Sequence, residues 1–215
     1  MSNGEVPYKE WIVMPALITL AVTLLRLIGE LMQWNEVLFG TPTSGFAVIG
    51  ATWLIPIFGI YFGHKLASNG YRPRSVGKAA LWLLLAFVVS ALIAGGVTAL
   101  LGTGLLSGLG LVVAAAVGLW IAFKGWRDLA CVLTAYAYAV RIPIVIIALL
   151  SILGEWGTHY EAAPAGYEQS NALLRWVEIA LLPQLSMGVM MIVALGGLFA
   201  CLGTLFARSS TPAEV

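Results

Sequence analysis

Charge is scarce in this chain. Only 10% of its 215 residues are Asp, Glu, Lys or Arg, and 60% are hydrophobic, whereas a soluble domain carries about 25% charged residues. Asp128 is the lone aspartate, which excludes metal sites and catalytic dyads built from aspartates. The only histidines are His64 and His159. The only cysteines, Cys131 and Cys201, lie in apolar runs, where a thiol reads as a small buried hydrophobe. Two such thiols make neither a disulfide framework nor a zinc set, so no metal or other cofactor is expected. The net charge of +1 offers no basic footprint for nucleic acid.

Familiar catalytic motifs are missing too. In GYRPRSVGKAA, Gly70 and Gly77 stand too far apart for a phosphate loop, and Ala79 replaces the hydroxyl that would hold magnesium. GTGLLSG, residues 102–108, misses the dinucleotide spacing and follows no strand. Neither HExxH nor GxSxG occurs.

What the chain has is long apolar runs, with a mean hydropathy of +0.96. A helix crossing a bilayer needs about 20 mostly apolar residues. Six segments qualify: 11–33, 46–67, 79–101, 105–123, 129–153 and 176–206. The expected fold is all-α, a single-domain polytopic bundle of six transmembrane helices in the lipid bilayer. Only LGTG separates the third and fourth spans, so these two should form a tight antiparallel pair.

Basic residues in short loops set orientation. Lys65, Arg72, Arg74 and Lys78 follow the second span, and Lys124 and Arg127 follow the fourth. The remaining loops hold Glu36, Glu155, Glu161 and Glu168, with Arg175 as their one base. Lys9 and Arg208 mark the two ends. This pattern predicts an inner cell-membrane protein with both termini cytoplasmic. MSNGEVPYKEW is a poor signal peptide, so the first span is expected to stay as an anchor.

Small residues recur every four positions: Gly59 and Gly63; Gly104 and Gly108; Gly110, Ala114 and Gly118; Gly196, Ala200 and Thr204. Such faces let helix backbones approach closely. They serve packing within the bundle or, alternatively, a homo-oligomer. Trp11, Trp34, Trp126, Trp156 and Trp176 fall near span boundaries, as an interfacial aromatic belt does. Pro56 should kink the second span, and Pro183 with Gln184 should interrupt the sixth; plain kinks are expected, with discontinuous helices at a binding site as the alternative.

Two spans are two-sided. In the first, Thr19, Thr23, Arg26, Glu30 and Gln33 follow spacings of four and three and share one helix face. In the fifth, Cys131, Thr134, Tyr138 and Arg141 do the same. A charge at the bilayer centre costs at least about 2.5–3.5 kcal/mol, so these faces must meet protein or water. At 1.5 Å per residue, Arg26 and Arg141 lie about 22 and 18 Å along their helices, at similar height. Glu178 in the sixth span falls in the same outer third.

Two arrangements satisfy this pattern. Arg26 pairs with Glu30 and Arg141 with Glu178, locking the bundle; or the arginines line an outward-facing cavity and hold an anion with their planar forks. The segment LTAYAYAVRIPIVIIALLSIL, residues 133–153, resembles the tyrosine-and-proline helix of Yip-type membrane proteins. The six-span layout departs from their five, and no property is carried over.

The leading expectation is binding or transport of a small polar or anionic solute, or a lipid headgroup. Arg26 and Arg141 would hold the ligand. Glu30 and Glu178 would balance charge or carry a proton, and Thr23, Thr134 and Tyr138 would donate hydrogen bonds. The alternatives are a structural or assembly subunit and, third, a membrane-embedded lipid-modifying enzyme using Glu30 or Glu178.

Overall fold

The computed structural model describes residues 8–40, 47–164 and 166–207. Among them every regular element is a helix. Five helices are long and apolar enough to cross a membrane. They are α1 (Tyr8–Leu31), α4 (Val76–Leu101), α5 (Leu105–Gly125), α6 (Arg127–Gly154) and a continuous last rod, Ala172–Phe206. That rod comprises α7 (Ala172–Trp176), two π-helical turns (Val177–Leu181 and Gln184–Gly188) and α8 (Val189–Gly203). A short turn, α2 (Glu36–Phe39), follows α1.

The second expected span needs correction. Helix appears only from the 3-10 turn Ala51–Trp53 into α3 (Leu54–Ser68), so α3 itself is 15 residues rather than a full span from residue 46. Pro56 therefore stands in the first turn of α3 instead of kinking its middle. A missing N–H costs nothing there, because the first four N–H groups of a helix have no partner inside it. Pro183 likewise does not interrupt its rod. The helix widens to π on both sides of it and continues. Arg208, one of the two expected terminal bases, lies outside the described residues.

The outer surface of the bundle is apolar, as its core is. On α1, Thr19 and Thr23 are 2% and 3% exposed, whereas Met14 and Leu17 are 63% and 56% exposed. The outer surfaces of α4 and α5 carry Leu81, Leu84, Leu92, Leu106 and Val113 in the same way. A soluble protein rarely exposes apolar patches beyond a few hundred Å², so the pattern fits hydrocarbon as the surrounding solvent.

Small residues set the packing inside. α3 and α8 run side by side in the same direction, with Gly59 against Gly196 and Gly63 against Ala200. A Cβ on either glycine of α3 would overlap a backbone carbonyl of α8, so only glycine permits this approach. Gly197 makes room for Leu83 of α4, and Gly118 of α5 for Met190. α4 and α5 form the expected antiparallel hairpin, closed by Gly110 against Val97. These glycine faces are therefore used within the chain. At the centre, the Tyr136 ring sits 5.6 Å from that of Phe58 and 5.3 Å from that of Phe62.

The two ends of the bundle differ. At one end Arg72, Arg74, Lys78, Lys124 and Arg127 line a groove with Asp128. There Arg72 donates to the Ala207 carbonyl at 2.7 Å, and the Trp126 indole donates to the Tyr71 carbonyl at 3.0 Å. The other end, where α1 and α6 finish and α7 begins, holds the polar cavity.

Candidate functional site

α1 delivers its polar stripe to this cavity without leaving loose polar groups. The Thr19 hydroxyl donates to the Pro15 carbonyl and the Thr23 hydroxyl to that of Thr19, each at 2.8 Å. Thr19 Oγ1 also lies 2.8 Å from the Tyr136 hydroxyl, tying α1 to α6 below the cavity. One turn above Thr23, Arg26 Nε donates to Glu30 Oε1 at 2.9 Å. Glu30 accepts as well from the His159 backbone N–H at 3.1 Å, and His159 Nδ1 lies 2.8 Å from its Oε2. Its side chain is only 2% exposed. A buried carboxylate needs such a set of partners to stay ionised.

Arg141 is held differently. Its Nη1 donates to Gln184 Oε1 at 2.6 Å, while its Nε is buried with no hydrogen-bond partner. Among the described residues no carboxylate lies within ion-pair distance of it. The guanidinium lies against the last rod where Gly188 has no side chain; a Cβ there would come within 3.2 Å of Nε. Pro183 and the π turns place Gln184 and Gly188 opposite Arg141.

Arg26 and Arg141 line one cavity of about 300 Å³, together with Thr23, Thr52, His159, Tyr160 and Gln184. Ile144, Ala148, Ile179 and Ala180 supply its apolar wall. Among the described residues, Glu30 is the carboxylate in ion-pair contact with the arginines of this cavity, and that contact is with Arg26. Burial pushes the Tyr160 phenol well above its ordinary range, against the opposing pull of Arg26, so it stays a neutral hydrogen-bonding group.

The other expected site residues lie elsewhere. Glu178 does not pair with Arg141. It accepts from the Tyr167 hydroxyl at 2.5 Å and faces a separate cavity of about 370 Å³ beside Thr103, Gly104 and Ser107. Glu178 and burial together raise the Tyr167 phenol to about 12, burial being the larger cause. Tyr138 is 39% exposed on the outer surface of α6, because the inward face is set by Leu133, Tyr136 and Val140. Thr134 lies two turns below Arg141, away from the cavity lining, and its buried hydroxyl has no partner.

The structure also adds residues that periodicity could not find. His159 and Tyr160 come from the loop after α6, where no helical spacing exists to read. Gln184 carries a signal in hindsight: an amide in an apolar span, at the height of an arginine on a neighbouring helix. Trp176 serves in part as a tie, donating its indole N–H to the Val145 carbonyl at 2.9 Å.

No protein family, no curated protein and no solved structure matches this chain. Its class is defined by the fold and cavity alone: among the described residues it is all-helical, with five helices long and apolar enough to span a membrane.

Proposed function

We propose that this protein is an integral membrane protein that binds a small anionic solute in the Arg26–Arg141 cavity and moves it across the membrane. The observation that carries this reading is Arg141. A guanidinium in a membrane-spanning helix that meets an amide rather than a carboxylate retains its charge for a ligand. Arginine forks bind carboxylate and phosphate with two parallel bonds.

The reading counts six crossings. α3 joins the cavity end to the basic end, and with its leading 3-10 turn it reaches about 28 Å, close to the ~30 Å hydrocarbon core. Bases at the end opposite the cavity support a cytoplasmic basic end and an outward cavity in the inner membrane. Movement of a solute requires the Tyr136 ring, with Phe58 and Phe62, to shift, since Thr19 and Tyr136 close the path below the cavity. The two π-helical turns beside Arg141 supply backbone able to rearrange.

The test is binding and proteoliposome flux of inorganic phosphate and of a small carboxylate, with Arg141→Gln beside the unaltered protein. Loss of binding in a folded Arg141→Gln supports the reading. Unchanged binding and flux in that variant refute it.

A second reading, a structural subunit, is favoured by the Arg26–Glu30–His159 network, which joins α1 to the loop after α6. It predicts that Arg26→Gln harms assembly and that Arg141→Gln has no effect on any solute.

A further inference from the structure

The polar cavity shares part of its wall with a space on the outer surface of the bundle. Arg26 and Thr52 line it, and the same two residues line a second space of about 310 Å³. The rest of that space is apolar: Trp53, Ile55, Pro56, Leu195 and Phe199 form most of its walls. Trp53 and Phe199 are 53% and 37% exposed, so among the described residues the groove opens sideways between α1 and the α3–α8 pair. Because Gly59 lies against Gly196 and Gly63 against Ala200, Phe199 stands level with residue 62. The groove therefore descends about 15 Å along the rods from the height of Thr52.

A site for a small water-soluble anion needs walls that keep lipid out. Here Arg26 and Thr52 face both the cavity and a groove whose other described walls are mostly apolar. A hydrophilic solute would leave that groove to lipid. The groove lets an acyl chain remain among apolar groups while its head reaches the two guanidinium groups.

We infer that the ligand is an anionic amphiphile, with a phosphate or carboxylate head between Arg26 and Arg141 and an acyl chain in the Trp53–Pro56–Phe199 groove. This rests on the anion-binding reading of the same cavity and specifies its ligand class. The head enters near the membrane interface, where lipid phosphates lie. Arg26 sits five residues before the end of α1, about 8 Å along the axis. Charge selects the head and the groove selects the tail.

Three probes separate the contributions in nanodiscs: lysophosphatidic acid, glycerol 3-phosphate as the head alone, and monoacylglycerol as the tail alone. The expected result is lysophosphatidic acid bound at least tenfold more tightly than either fragment. Leu195→Trp, which fills the groove, should weaken lysophosphatidic acid at least tenfold and leave glycerol 3-phosphate unchanged. Arg141→Gln should weaken both. If glycerol 3-phosphate binds as tightly as the lipid and Leu195→Trp alters neither, the amphiphile inference is overturned and anion binding survives. If Arg141→Gln alters neither probe, both fall. Phe199→Ala keeps the test valid should Leu195→Trp fail to fold. By widening the groove it should change the preferred chain length, and an unchanged preference counts against the inference.

Discussion

Arg141 donates to Gln184 at 2.6 Å, and no described carboxylate comes within ion-pair distance. The other cavity arginine, Arg26, is bound to Glu30 at 2.9 Å. The two cations at one site thus have opposite dependence on their neighbours, and their variants should behave oppositely.

Arg26→Gln should destabilise the fold. It leaves Glu30 buried without its guanidinium partner, and breaking a buried pair from one side costs about 3–5 kcal/mol. Arg141→Gln should leave stability within about 1 kcal/mol, because it removes a charge that has no buried counter-charge. Thermal unfolding in detergent distinguishes the two; equal losses would contradict this assignment.

Gly63→Leu should separate α3 from α8. The added side chain starts where the Ala200 carbonyl lies, and that backbone cannot swing aside as a side chain could. Overpacking in a well-filled core costs about 1–3 kcal/mol or more. Gly77→Leu is the control, since its position is open. A similar melting temperature for both variants would count against the close α3–α8 contact.

Tyr136→Phe should cost about 0.5–1.5 kcal/mol, the net worth of one hydrogen bond. Thr19 keeps its bond to the Pro15 carbonyl, so no buried donor is orphaned. Its larger effect should fall on flux, because the hydroxyl latches the closure beneath the cavity. Flux changed with binding retained is the expected outcome in the proteoliposome assay.

Alkaline pH should weaken the fold through Tyr167. Its phenol is raised from 10.0 to about 12 in the folded protein. The folded state therefore binds that proton more tightly than the unfolded chain. The stability this contributes is complete below pH 10 and is lost as pH rises toward about 12. Tyr167→Phe should flatten the decline in an alkaline unfolding series; an identical slope would refute the role given to this hydroxyl.

Much of the fold was legible in one dimension. Spans of Leu, Val and Ile longer than a bilayer core have one stable state, a helix with its apolar side outward, so α1, α4, α5, α6 and the last rod appeared in the residue pattern. The second span was overextended because hydropathy sees Ala47 to Ile49 as more of the same run. It carries no term for where the first hydrogen-bonded turn begins. The arginines were legible as a problem, since a charge in an apolar helix must face something.

The sequence by itself determined that Arg26 and Glu30 meet, because a separation of four residues puts them on one helix face whatever the tertiary fold. It could not determine the partner of Arg141, because height along a helix leaves rotation about the neighbouring axis free. The packing of glycine faces sets that rotation. It turned Gln184 toward Arg141, sent Glu178 to Tyr167, set Tyr138 outward and brought His159 over Glu30.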